Sequence, residues 1–93
     1  MKPDEIVSKV IEILKREFPM LRSPAIALGP DTALLSTGLL DSFAVVTLLA
    51  TLEETLAIDL DVETIPFERL ETAATIGALC SEALDARAAK PRV

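Results

Sequence analysis

Apolar and polar positions follow a helical period in three stretches of the chain. Over residues 4–18, Ile6, Val7, Val10, Ile11, Ile13, Leu14 and Phe18 fall within one arc when placed at ~100° per residue. Asp4, Glu5, Ser8, Lys9, Glu12, Lys15 and Arg16 take the other side, and Glu17 alone sits off the pattern. Pro3 suits the first turn, where its missing N–H costs nothing. Asp4 and Glu5 match the positive end of the helix dipole, and Lys15 and Arg16 the negative end. Residues 42–57 form the second stretch. Val45, Val46 and Thr47 are β-branched and would suit a strand, yet sixteen residues run without Gly or Pro. Helical placement sorts them better, with Val45, Val46, Leu48, Leu49, Leu52 and Leu56 on one side and Thr47, Thr51 and Thr55 on the other. The third stretch opens at Thr72, a natural N-cap, and runs to about Arg87. Its apolar stripe of Ile76, Leu79, Cys80, Ala83 and Ala86 is narrow and suited to close packing.

The connections are equally readable. Pro19, Pro24, Gly29, Pro30 and Gly38 forbid a long helix over residues 19–40. Leu28, Leu34, Leu35, Leu39 and Leu40 make that segment too apolar for a free linker, so it is expected to pack on the core as a long loop. Residues 58–62 alternate apolar and acidic side chains and read as an irregular connection. Pro66 is placed to open a short helix ending near Leu70. The sum is an all-α fold, a small four-helix bundle of three long helices and one short one. A single domain is expected over residues 1–87, with residues 88–93 as a flexible tail.

Composition narrows the chemistry. The chain has 93 residues, of which 51% are hydrophobic, so a folded core is expected rather than disorder. Phe18, Phe43 and Phe67 are its only aromatic residues, so that core must be aliphatic. Histidine is absent, which removes Ser-His and Cys-His catalytic pairs and every His-containing metal site. The lone Cys80 cannot form an internal disulfide, in keeping with a reducing cytoplasm. On an apolar stripe it reads as small core filler rather than as a reactive thiol. Threonines and charges interrupt every apolar run well short of ~18 residues, so no membrane insertion is expected. Residues 1–22 carry charges at helical spacing, unlike a signal peptide.

The net charge of −6 is unevenly spread. Residues 1–22 sum to +1, residues 23–84 to −9 with Arg69 as their one basic side chain, and residues 85–93 to +2. An acidic middle repels nucleic acid. It either steers basic protein surfaces or only keeps a small protein soluble. Glu53 and Glu54 divide the same way, between ion pairs to a basic partner and plain solvation. Ile65 and Phe67 read as core packing more than as the edges of a cleft.

Asp41-Ser42 admits two readings. In one, the pair is a helix cap and nothing more. In the other, the Ser42 hydroxyl at a helix N-terminus lies where unpaired N–H groups and the dipole favour a phosphate. With no histidine and no evident base, the chain cannot activate this serine itself, so any modification needs another enzyme.

The stretch "TGLLDSF", followed by "AVVTLLATLEETLAIDL", resembles the acyl and peptidyl carrier protein family, whose hallmark is an Asp-Ser-hydrophobic triplet at the start of the second helix. Gly38, Leu-Glu-Glu at 52–54, "IDL" at 58–60 and Thr72–Ile76 extend the resemblance over about residues 4–87. It implies a non-catalytic carrier: Ser42 receives a 4′-phosphopantetheine arm from coenzyme A through a phosphopantetheinyl transferase, and the arm's thiol holds an acyl or aminoacyl group as a thioester. An adenylating ligase or acyltransferase is then implied as a further partner of a monomeric carrier. Asp41 matches the aspartate that caps the helix and meets the transferase, and Phe43 the hydrophobic member of the triplet. Fatty-acid carriers tend to be acidic where this chain has Ala44 and Thr47. "LLDSFAVV" and "IDLDVETIPFERLETAATI" look instead like the D-alanyl carrier and other discrete aminoacyl carriers. The expected partner surface is Phe43, Ala44, Thr47 and Glu54. The competing class is an unmodified helical adaptor that binds another protein, with Asp41-Ser42 as a simple cap.

Overall fold

The computed structural model describes residues 2–89. Three α-helices form the body of the protein: α1 (Pro3–Glu17), α2 (Ser42–Leu56) and α3 (Ala73–Ala89). Three short 3₁₀ turns, Pro19–Arg22, Val62–Thr64 and Phe67–Leu70, lie in the connections. No strand occurs among the described residues. The all-α class expected from the periodicity holds, but the four-helix count does not. The helix expected from Pro66 to Leu70 is a four-residue 3₁₀ turn. Between Pro66 and the cap of α3 at Thr72 there is too little chain to follow a costly helix nucleus with successive i→i−4 bonds, and the tighter 3₁₀ turn forms instead. Of the expected tail at residues 88–93, α3 takes in the first two positions, and residues 90–93 lie outside the described residues.

The core is aliphatic. α1 buries Ile6, Val10, Ile13 and Leu14. α2 buries Val45, Leu48, Leu49, Leu52 and Leu56, and α3 buries Ala73, Ile76, Leu79 and Cys80. Three sequence expectations fail here. Val46, expected on the buried side of α2, is 50% exposed. It lies about 60° around the helix beyond Leu49, past the edge of the arc that the core covers. Phe67, expected to pack inside, is 67% exposed, while Ile65 is half-buried against the core. The two residues flank Pro66 at the entry to the 3₁₀ turn, and only Ile65 is packed against the core. Ala86 is exposed, and half-buried Leu84 takes its share of the packing.

α1 and α3 make the most extensive helix pair, and Gly77 is the reason they can lie so close. A Cβ at Gly77 would sit 2.6 Å from Val7 Cγ2 and 3.4 Å from Val7 Cα. α3 starts on a reciprocal cap. Thr75 N–H donates to Thr72 Oγ1 at 3.1 Å, and Thr72 N–H donates to Thr75 Oγ1 at 3.1 Å. Threonine thus does the work that glutamate does in the usual capping box. At the end of α1, Arg22 from the following turn donates Nε–H to the Lys15 carbonyl at 2.8 Å, which satisfies one of the carbonyls the helix leaves open. The off-pattern Glu17 lies at the same end, and its Oε1 accepts the Thr51 hydroxyl of α2 at 3.5 Å.

The long loop between α1 and α2 is fastened in two ways. Leu21, Leu34 and Leu40 are buried, and Ile26, Leu28, Leu35 and Leu39 pack half-buried beside them. Its backbone is also tied to the start of α3. Leu34 N–H donates to the Glu71 carbonyl at 2.7 Å, and Ala74 N–H donates to the Pro30 carbonyl at 2.9 Å. The Glu71 carboxylate accepts the Leu35 N–H, the Ser36 N–H and the Ser36 hydroxyl, each at 3.0 Å. Donation from the Ser36 backbone, then from its hydroxyl and from Leu35 and Leu34, holds the Glu71 carboxyl below the usual range despite the opposing effect of desolvation.

Gly77→Ala gains about 1 kcal/mol of helix propensity but crowds a β-branched side chain with one favoured rotamer, at a cost of about 1–3 kcal/mol. A net loss of stability is expected in urea unfolding, recovered in large part by Val7→Ala in the double variant; strictly additive effects would refute the contact. Because the folded carboxyl of Glu71 titrates low, its contribution is complete above about pH 4.3, the unperturbed value. It is lost as the pH falls through the lower folded value. Melting temperature against pH should therefore show a shallower acid decline in Glu71→Gln than in the wild type. Parallel curves would contradict the assignment.

Candidate functional site

The N-terminus of α2 is set by the residues just before it. Gly38 takes the left-handed φ of +77° that turns the chain toward the helix, a conformation glycine adopts without steric cost. Leu40 N–H then donates to the Leu34 carbonyl at 3.0 Å, and the Leu40 side chain is buried. Asp41 follows in extended conformation at the N-cap, and its Oδ1 accepts the Ala44 N–H at 2.7 Å. The Asp41 carbonyl accepts the first backbone bond of the helix, from Val45 N–H at 3.1 Å. Ser42 occupies the first helical position and is exposed.

Asp41 thus makes the cap, and the Ser42 hydroxyl is left facing solvent. The N–H groups of Ser42 and Phe43 precede the first intrahelical bond and have no partner within the helix. Apart from the Asp41 carboxylate at the N-cap, the first turn of α2 carries no acidic side chain. An exposed hydroxyl beside open amides and a positive helix end is suited to carry a phosphodiester.

The face of α2 turned away from the core is open. Phe43 is 80% exposed, and with Val46, Thr47, Ala50 and Glu54 it lines a shallow groove that runs along the helix to Ile58 and Asp59. Of the four residues expected on a partner surface, Phe43, Thr47 and Glu54 are brought together there. Ala44 is not: it is half-buried and packs against the core. The threonines are spent locally, since the Thr47 hydroxyl donates to the Phe43 carbonyl at 3.2 Å and Thr51 to the Thr47 carbonyl at 3.0 Å. Glu53 follows neither expected course. Glu53 Oε2 accepts the Leu60 N–H at 3.1 Å and holds the "IDL" segment against α2, whereas Glu54 is exposed.

The far end of α2 closes on Ala57, a non-glycine residue with φ of +53°. Arg87 of α3 donates Nη1–H to the Leu56 carbonyl at 3.1 Å and to the Ala57 carbonyl at 2.8 Å. Arg69, the one basic side chain of the acidic middle, pairs with Glu82 through both its Nη1 and Nη2 atoms. The hydrogen bond raises the Arg69 pKa and lowers that of Glu82. Cys80 is fully buried, and burial pushes its thiol up to about 11. Among the described residues, no cluster of His, Cys, Asp and Glu could hold a metal ion, and no helix is long and apolar enough to cross a membrane.

Comparison with known proteins agrees with this geometry. A family model described as the phosphopantetheine attachment site matches residues 5–82, which takes in all of α2 and most of α1 and α3. The chain belongs to that phosphopantetheine-binding family, whose members covalently carry 4′-phosphopantetheine and are generally non-catalytic carriers modified by phosphopantetheinyl transferases. Neither the curated proteins nor the solved structures compared with the chain gave a match.

Asp41→Ala should cost roughly 0.5–2 kcal/mol by leaving a first-turn amide unpaired, whereas Ser42→Ala should unfold close to the wild type because the cap survives. Equal midpoints for Asp41→Ala and wild type in chemical denaturation would remove the cap from the account.

Proposed function

We propose that the protein is a carrier that holds an acyl or aminoacyl group on a 4′-phosphopantetheine arm attached to Ser42 and shuttles it between partner enzymes. The observation that carries the reading is the division at the head of α2: Asp41 makes the cap hydrogen bond, and Ser42 presents an exposed hydroxyl at the first helical position. Attachment forms a bond from Ser42 Oγ to the pantetheine-bearing phosphorus of coenzyme A and breaks the bond to the nucleotide half, which leaves as adenosine 3′,5′-bisphosphate. The serine proton passes to a base of the transferase, because this chain has no histidine. When bound, the arm supplies a terminal thiol that carries the cargo as a thioester. The residues of this chain do the rest: Asp41 holds the helix start, and the amides of Ser42 and Phe43 face the phosphodiester.

Phe43, Thr47 and Glu54 form the surface that meets the transferase and an adenylating ligase or acyltransferase. Exposed apolar area at Phe43 and Val46, rimmed by Glu54 and Asp59, suits a partner with an apolar centre and a basic rim. The uncharged side chains of Thr47 and Thr51 on that groove favour an aminoacyl cargo of the D-alanyl type over a fatty acid, through the partners such a surface selects. The carrier is monomeric and cytoplasmic in this reading, supported by a free cysteine kept inside the fold.

Incubation with coenzyme A and a broad-specificity phosphopantetheinyl transferase should add one phosphopantetheinyl group to the wild type by intact mass and none to Ser42→Ala. Wild-type protein that gains no mass beside an active control carrier would leave the unmodified adaptor instead, and a gain retained by Ser42→Ala would move the site.

A further inference from the structure

Glu71 lies far from Ser42 in sequence, at the junction of the last 3₁₀ turn and α3, yet it holds the segment that leads into α2. Its Oε1 accepts the Leu35 N–H, the Ser36 N–H and the Ser36 hydroxyl, each at 3.0 Å, and its Oε2 takes a second, longer share of the Ser36 N–H at 3.3 Å. Its backbone carbonyl accepts Leu34 N–H at 2.7 Å. The Leu34 carbonyl in turn accepts Leu40 N–H at 3.0 Å, and Leu40 immediately precedes the Asp41 cap. One residue therefore fixes three consecutive positions of the loop, 34 to 36, and a further bond from Leu34 reaches Leu40, two residues before the serine. The bonds to the Glu71 carboxylate are charge-assisted, the stronger kind. The loop between Ser23 and Leu40 contains no regular helix that could hold the same register unaided.

We propose that Glu71 is a positioning residue for modification of Ser42: its carboxylate clasps the Leu35–Ser36 turn and so keeps Leu40, Asp41 and Ser42 in the arrangement a transferase docks on. The proposal rests on the carrier reading above. Without the clasp, the three α-helices still pack through their own buried faces, but the loop samples other arrangements. Only the fraction of molecules with the competent loop then binds the transferase, and the apparent affinity falls by that fraction.

The test is steady-state transfer from coenzyme A to the purified full chain, measured well below the melting temperature and followed by intact mass. Wild type must be modified for the experiment to bear on Glu71; if it is not, it is the carrier reading that fails. With wild type active, Glu71→Ala should raise KM for the carrier by about tenfold, as when the competent loop falls to about a tenth of the molecules. Both kcat and KM for coenzyme A should hold. Ser36→Ala, which removes one donor and keeps the two amides, should fall between. Hydrogen exchange should show the Ser36 and Leu40 amides losing protection in Glu71→Ala while the amides of α1 keep theirs. Arg87→Ala supplies the control, because it removes a tie at the opposite end of α2 and lowers stability without touching the loop. Unchanged KM in Glu71→Ala overturns the proposal. So does an equal rise in Arg87→Ala, which would mark general destabilisation, or an effect confined to kcat, which would place Glu71 in the chemical step.

Discussion

A loop can be held against a helical core by side chains it buries or by partners found for its amides, and this protein depends on having both. Leu34 and Leu40 supply the buried anchors. The amides of Leu34, Leu35 and Ser36 are taken by one residue, Glu71, through both its carboxylate and its own carbonyl. Because Glu71 stands directly before the Thr72 cap of α3, the start of α3 and the entry to α2 share one fastening point. The three helices bury a common aliphatic core, and this fastening holds the loop that leads into the second of them.

The same economy recurs at both ends of α2. Its N-terminus is closed by its own Asp41, and its C-terminal carbonyls are met by Arg87 from α3. The helix is held at its two tips and along its buried stripe, which leaves the remaining face free of structural duty. Phe43 and Val46 can stand exposed there because the core is already filled by aliphatic side chains. A serine placed at the head of such a helix sits on a rigid support while making no contribution to the support itself.

Much of this was legible in the sequence, for reasons that are local. The 3.6-residue period of Ile6 to Leu14 and of Val45 to Leu56 fixes the buried faces of α1 and α2. Asp41 and Thr72 announce the helix starts through their capping chemistry. Where the reading failed, the deciding interaction was not local. Val46 lies just beyond the arc that neighbouring elements cover, and only the width of those neighbours shows it. Phe67 has an apolar side chain, but Ile65 reaches the core first. Glu71 partners residues 35 and 36 positions away, and Arg87 reaches back about 30, separations at which no period or motif in one sequence signals contact. Glu53 looked like a surface charge because its partner is a backbone amide, which every residue but proline carries.

The burial of Cys80 in α3 also bears on cargo chemistry. Thioesters exchange onto any accessible thiolate, so a carrier with a reactive cysteine of its own would strand its load on the protein body. Here the chain's single thiol is sealed in the core with its ionisation pushed up to about 11, leaving almost no thiolate at neutral pH. In the carrier reading, the arm then presents the sole competent sulfur of the loaded domain. A thiol-reactive dye applied to the folded protein would count arms rather than polypeptides.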